Sequence, residues 1–219
     1  MPDAAIITAV YGGYDDLKPA CPQQGPETEW VLVTDDPAIP AGHLGWRVVH
    51  EPRPGMHPCR AAKHPKFRPW EYTTAPASAW IDGSVRVTSP FFAAQALALA
   101  APLAQFAHPD RDCIYDEAAE SARIGKYAAE PVGPQAACYR AAGHPEHWGL
   151  WATTIIARRH TPQVRELGER WTAEMGAWSF QDQVSQPFVL RSLGLRPAVL
   201  PGYYRDNGWL HLEGSGKHW

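Results

Sequence analysis

Ala4-Ala5-Ile6-Ile7-Thr8-Ala9-Val10 runs directly into Tyr11-Gly12-Gly13-Tyr14-Asp15-Asp16. The first seven residues are apolar, β-branched at the centre and without alternation. That pattern predicts a strand buried on both faces. The six that follow are turn formers. The same phrase recurs downstream. Residues 30–34 (WVLVT) form a second apolar run, closed by Asp35-Asp36-Pro37, and residues 46–50 (WRVVH) a third. Residues 78–82 (SAWID) form another, which closes on Asp82-Gly83-Ser84. Residues 60–70 read as a short helix limited by Pro65 and Pro69. Ser89-Pro90 reads as the cap and first position of a helix over 91–101. Helices are expected over 112–126 and 135–142, a strand over 149–157, and helices opening at Thr161-Pro162 and at Ser179. Strands alternating with helices predict an α/β fold with a mostly parallel, doubly wound sheet. Ligands of such sheets bind beyond the carboxyl ends of the strands. Tyr11-Gly12, Asp35-Asp36 and Asp82-Gly83-Ser84 are therefore expected around one crevice.

Composition narrows the class. At 219 residues, with 45% hydrophobic and 20% charged, the chain is globular rather than disordered. Its length suits one domain, 1–219, with no linker or internal repeat to divide it. A net charge of −3, with lysines and arginines dispersed, excludes a dedicated nucleic-acid binder. Cys21, Cys59, Cys113 and Cys138 show no CxxC or metal-finger spacing. No apolar stretch is long enough for a transmembrane segment. Met1-Pro2-Asp3 is not followed by a signal-peptide pattern, so a cytoplasmic location with free thiols is expected. The 10 tryptophans either pack the core or stack on sugar rings, and packing is the commoner use.

Four groups of residues carry candidate chemistry, each with a plainer rival. Asp82 closes a buried strand, where a rigid carboxylate can bind a hard cation; Gly83 admits a ligand and Ser84 adds a hydroxyl. The rival is an ordinary Asp-Gly turn. His211, Gly214 and Lys217 near the end of the chain suit a metal and a diphosphate; the rival is a disordered terminus. Ser179 followed by Asp182 and Gln183 reads as a helix start facing a crevice; the rival is a capping box that uses up Asp182. Arg60, Lys63 and Lys66, three apart, share a helix face that meets phosphate or only solvent.

These stretches resemble a glycosyltransferase-like domain family found in plant mucilage- and turgor-related proteins and in many bacteria. The resemblance rests on residues 8–15, 33–35 and 60–63, then on Trp80-Ile81-Asp82-Gly83-Ser84. It continues through His108-Pro109, Arg111, Tyr115 and Glu117 to Asp182-Gln183. The chain is also similar to the retaining glycosyltransferases of family 8, the glycogenin and lipopolysaccharide galactosyltransferase group. Their H-x-x-G-x-x-K-P-W motif is matched by His211, Gly214, Lys217 and Trp219, with His218 in place of proline. Their D-x-D motif is matched by Asp82-Gly83-Ser84, with Ser84 in place of the second acid.

The resemblance implies a GT-A-type, Rossmann-like domain, with residues 1–105 as the nucleotide-binding half and 106–219 as the acceptor half and C-terminal lid. It implies an enzyme moving a hexosyl or pentosyl group from a nucleotide sugar, a UDP-sugar first of all, to an acceptor hydroxyl with retention. Thr8, Ala9, Val10, Tyr11, Tyr14 and Asp35 would hold the nucleoside. Asp82, Ser84 and His211 would ligate Mn²⁺ or Mg²⁺. Arg60, Lys63, Gly83, Gly214 and Lys217 would surround the diphosphate, and Asp182 and Gln183 would be catalytic. Two alternatives remain open at this point. One is a hydrolase drawing on Asp82, Asp116, Glu117 and Asp182; the other is a non-catalytic nucleotide-sugar binder.

Overall fold

The computed structural model describes residues 1–21 and 27–213. Its strands are β1 (Ala4–Val10), β2 (Thr28–Thr34), β3 (Arg47–His50), β4 (Ala77–Ile81), β5 (Val85–Val87), β6 (Leu103–Ala107), β7 (Trp151–Arg159), β8 (Ala198–Val199) and β9 (Leu210–Leu212). The helices are α1 (Pro58–Phe67), α2 (Phe92–Leu99), α3 (Ile114–Ser121), α4 (Val132–Ala141), α5 (Pro162–Ala177) and α6 (Asp182–Ser192). Seven strands form one sheet in the order β3-β2-β1-β4-β7-β6-β8, and β5 pairs with β9 in a separate two-stranded ribbon.

The sheet is mainly parallel. β3, β2, β1 and β4 run together, as do β6 and β8, while β7 is antiparallel to both β4 and β6. β4 is buried throughout and β1 from its second residue on, as their unbroken apolar runs require. Alternate residues feed two cores. Ile7, Ala9, Val31 and Val33 pack with Phe67 of α1 and with Leu167 and Trp171 of α5. Ile6, Val10, Leu32 and Ile81 pack with Phe92 and Ala96 of α2. A third cluster joins α3, α4 and α6 through Ile114, Val132, Tyr139 and Val184. The chain leaves β1 for β2 and β3, then returns to β4 on β1's other side. The order reverses there, and a cleft opens at the shared carboxyl ends.

Several sequence expectations shift by a turn or less. Thr161 caps α5 as predicted, accepting from the Val164 N–H at 3.3 Å, with Pro162 at the first helical position. The α2 start moves: Ser89 Oγ accepts from the Phe91 N–H, and regular helix begins at Phe92 rather than after Pro90. Residues 112–126 are not one helix. α3 ends at Ser121, and a 3₁₀ turn over Gly125–Tyr127 follows. Ser179 does not cap α6. Its hydroxyl is bonded to Gln135 in the core, and Gln181 is the N-cap, accepting from the Gln183 N–H. Asp182 is thereby the first helical residue and is released from the capping-box role.

His160 closes β7 against the sheet, its Nε2 2.9 Å from Ser78 Oγ. Burial, reinforced by Arg158, pulls its pKa from 6.5 to about 4. The folded state therefore holds a neutral imidazole that the unfolded chain would protonate. Its contribution is complete above the unfolded pKa and is lost as pH falls from about 6.5 to 4, on the order of 2 kcal/mol after allowing for residual solvent screening. Urea titrations between pH 7 and 4 should show that slope, and His160→Gln should flatten it. An unchanged slope would place the proton elsewhere.

Candidate active-site cleft

β1 and β4 each end in a loop that their sequences force into a close approach. Gly12 (φ 57°) turns the chain where a Cβ would meet Pro58 Cγ at 2.8 Å. At Gly83 a Cβ would lie 2.8 Å from Asp15 Cβ and 3.1 Å from Asp15 Oδ2. The two loops thus touch through a glycine, and Asp15 and Asp82 border the same opening. An inner recess of about 80 Å³ lies between them, walled by Val10, Tyr11, Tyr14, Cys59, Lys63 and Trp80. It opens into an outer cleft of about 910 Å³. Asp82, Asp15, Tyr14 and Lys126 line both spaces. Ser84, Glu117, Gln183 and Arg205 line the outer one.

The floor is an ion network. Asp182 accepts from Lys63 Nζ at 2.6 Å, Lys66 Nζ at 2.7 Å and Thr153 Oγ1 at 3.0 Å. Lys66 also lies 3.4 Å from Asp82 Oδ1 and 5.6 Å from the Trp80 ring centre. Trp80 Nε1 donates to the same Asp82 oxygen at 2.7 Å. Lys66 and Asp182 are only 2% and 5% exposed, so neither charge would be tolerable alone. Burial pushes the Asp182 carboxyl up, but the two ammonium groups override it and hold it well below the usual carboxylate range. Burial likewise opposes the charge on Lys66, and its two acids more than restore it. Lys63, paired with one acid, is drawn down by burial.

A second network forms the outer wall. Glu117 Oε1 accepts from Gln181 Nε2 and Gln183 Nε2, each at 3.0 Å. Its Oε2 accepts from Arg111 Nε at 2.6 Å, and His108 Nε2 is 3.6 Å away. The Gln183 carbonyl in turn accepts from the Thr153 N–H at 3.4 Å. The Gln183 amide is therefore fixed at both ends while its residue lines the cleft.

The structure sorts the sequence-derived candidates. Ala9, Val10, Tyr11, Tyr14, Lys63, Asp82 and Gly83 meet at the recess, and Ser84 and Gln183 at the outer cleft. Thr8 lies deeper in β1, its hydroxyl sealed and without a hydrogen-bond partner among the described residues. Asp35 accepts from the Gly12 N–H at 2.9 Å and so braces the first loop. Arg60 points away from Lys63 and Lys66. It bonds the Glu130 carboxylate at 2.8 Å and the carbonyls of Met175 and Trp178. His211 is exposed on the β5–β9 ribbon, opposite Arg86 and with Nδ1 3.4 Å from Asp206 Oδ1. Gly214, Lys217 and Trp219 lie outside the described residues. Asp116, a candidate acid of the hydrolase alternative, is exposed and outside both spaces.

Lys126, Tyr127, Arg205 and His57 line the outer cleft without having been singled out from sequence. Lys126 and Tyr127 share the 3₁₀ turn after α3, while His57 and Arg205 come from two other segments, and no local spacing marks any of them. Among the described residues, one group of mixed Cys, His and Asp side chains can hold a metal ion: Cys113, Asp116 and His147, none of which lines the cleft. No helix among the described residues is long and apolar enough to cross a membrane.

One solved structure is 2-C-methyl-D-erythritol 4-phosphate cytidylyltransferase from Thermus thermophilus. It is 18% identical, with a TM-score of 0.51 over 93% of this chain and 90% of that one, and it shares the fold. CMP:2-keto-3-deoxy-manno-octonic acid synthetase complexed with CTP is 15% identical, with a TM-score of 0.47 over 90% and 89% of the two chains. The WbbM bifunctional glycosyltransferase is 11% identical, with a TM-score of 0.44 over 91% of this chain and 39% of that one. No curated protein matches the sequence. The TOD1/MUCI70, glycosyltransferase-like domain matches residues 41–207, a span that holds Lys63, Lys66, Asp82, Glu117, Asp182 and Gln183. The chain therefore belongs to the TOD1/MUCI70 glycosyltransferase-like family.

Proposed function

We propose that this protein transfers a hexosyl or pentosyl group from a nucleoside diphosphate sugar, with a UDP-sugar as first candidate, to an acceptor hydroxyl in the outer cleft. The observation that carries the reading is the convergence of Asp82, Lys63 and Lys66 at the β1–β4 opening, where such folds receive their ligands. In this reading the recess walls formed by Ala9, Val10, Tyr11 and Tyr14 take the nucleoside side. The diphosphate lies over the lysines, with Lys126 at the mouth.

The oxygen donors at the opening suit Mn²⁺ or Mg²⁺. Asp82 is about one-third exposed (36%), and Ser84 lines the cleft beside it. The proposed ligand set is Asp82, Ser84 and His211; His211 would leave Asp206 to join it. A cation held there supplies charge against the departing diphosphate. Gln183 orients the sugar. Asp182, expected from sequence to be catalytic, is 5% exposed beneath Lys63 and Lys66 and lines neither space, so it is proposed instead as a positioning residue acting through the two lysines, as Glu117 acts through the Gln183 amide. Retention would follow if the acceptor attacks from the face the stabilised diphosphate leaves, a course that needs no carboxylate nucleophile.

Thermal shift and calorimetry with UDP, GDP and dTDP, with and without Mn²⁺, test the donor site. One nucleotide should raise the melting temperature, and Asp82→Asn should weaken its binding about tenfold. Silence across the whole panel would remove the donor-site reading. With a turned-over donor, the product's anomeric configuration by NMR decides retention.

A further inference from the structure

We propose that Cys113, Asp116 and His147 form a zinc site that clasps the start of α3 to the 142–149 loop. The three ligand atoms already lie within 4.8 Å of one another. Tetrahedral zinc holds its sulfur, nitrogen and oxygen ligands at about 3.5 Å from each other. A small contraction of two side chains therefore closes the site.

The side chains are set for this role by what surrounds them. Cys113 is the N-cap of α3, yet its side chain makes no capping hydrogen bond; the residue is 2% exposed. Asp116 stands three residues on, in the first turn, where Cys113 and Asp116 share a face. His147 reaches them from the other segment with φ 52°, a left-handed conformation seldom used by residues other than glycine. Asp112 fixes its ring, with Oδ1 2.7 Å from His147 Nδ1. A carboxylate on one imidazole nitrogen leaves Nε2 for the metal and makes it a better donor. The Gly149 N–H bonds the Asp112 carbonyl at 3.0 Å, so backbone as well as side chain ties the two segments together.

Donor type selects the ion. One thiolate, one imidazole and one carboxylate suit zinc and disfavour magnesium or calcium, which prefer oxygen alone. Both His147 and Asp116 are exposed, which leaves a fourth position open to water. The rival account is a protonated His147 held by Asp112 and its acidic neighbours, with Cys113 a bystander. The two accounts differ in whether the sulfur takes part. The site does not depend on the proposed transfer reaction, but it borders it. Glu117, which anchors Gln181 and Gln183, follows Asp116 directly on α3.

The test uses the untagged full chain stripped with chelator and titrated with Zn²⁺ by calorimetry and with Co²⁺ by absorption. One ion per chain is expected, with a near-ultraviolet thiolate-to-cobalt band. Cys113→Ser should abolish that band, and His147→Asn, which tolerates the left-handed backbone, should abolish saturable binding. Asp112→Asn should weaken binding about tenfold. Should Cys113→Ser fail to fold, the surface variant His147→Asn still decides the matter. No stoichiometric binding, or Zn²⁺ and Co²⁺ binding that survives either ligand substitution unchanged, overturns the site.

Discussion

Asp182→Asn should destabilise the protein by about 4 kcal/mol, because it leaves two buried ammonium groups facing an amide that cannot neutralise them. Lys66 would keep Asp82 at 3.4 Å, and Lys63 would lose its 2.6 Å partner outright. The measurement is urea unfolding of both proteins at several pH values. Asp182 is a carboxylate whose folded pKa is depressed, so its contribution is full above the unfolded value near 3.9 and is lost as pH falls through the lower folded value. The deficit of the variant should therefore be constant from about pH 7 to 5 and should shrink below about pH 4. Lys63→Met combined with Asp182→Asn removes one charge of each sign. It should recover part of the loss, with a coupling of about 1–3 kcal/mol between the sites. A single-variant deficit under about 1 kcal/mol would show that the lysines reach solvent and that the network is not a buried one.

Gly168→Ala should cost about 3 kcal/mol, the reverse of what a helix interior ordinarily shows. In an exposed helix, alanine for glycine gains about 1 kcal/mol. Here α5 crosses the end of α1 so closely that a Cβ at 168 would lie 2.2 Å from the Phe67 carbonyl oxygen and 2.5 Å from Trp70 Cη2. The backbone oxygen cannot swing away as a side chain can. The same contact stacks Phe67 on Trp171, with ring centres 3.9 Å apart and planes 16° from parallel. Inserting a methyl group must spread the helices and unstack the rings. Because α1 carries Lys63 and Lys66, binding at the proposed donor site should weaken along with stability. A melting temperature equal to or above the parent's would mean that the two helices separate freely.

The central strands are legible because burial on both faces leaves apolar runs at 4–10, 30–34 and 78–82; β6 (Leu103–Ala107) is not, since its short run follows directly on the apolar helix α2, and the two- and three-residue strands β5, β8 and β9 are too short to leave a pattern. Direction is not legible. Residues 151–159 form a strand as the run predicts, but nothing in an apolar run tells whether it lies parallel or antiparallel to its neighbours. In the candidate site, the three-residue spacing of Lys63 and Lys66 is informative because both sit on α1 and reach one acid. The same spacing misleads at Arg60, whose longer side chain finds Glu130 and two carbonyls on another part of the molecule. The motif around Asp182 is ambiguous between cap and site, and only the position of Ser179 in the core resolves it. Glu117 gives no local signal of its hub role. Its partners Arg111, Gln181 and Gln183 meet through a fold that joins α3 to α6.

The reversal at β7 has a consequence for how the molecule is made. Because β7 runs against β4, Thr153 near its start, rather than a residue at its end, reaches the carboxyl end of β4. The lysines of α1 are synthesised more than a hundred residues before Asp182 emerges to meet them. A nascent chain halted between the two would carry paired cations at its interior with only Asp82 to answer them, and its half-built sheet would expose β4's unpaired edge. The amino-terminal half is thus expected to wait on the ribosome for the carboxyl-terminal half, and a fragment of residues 1–105 to aggregate instead of folding by itself.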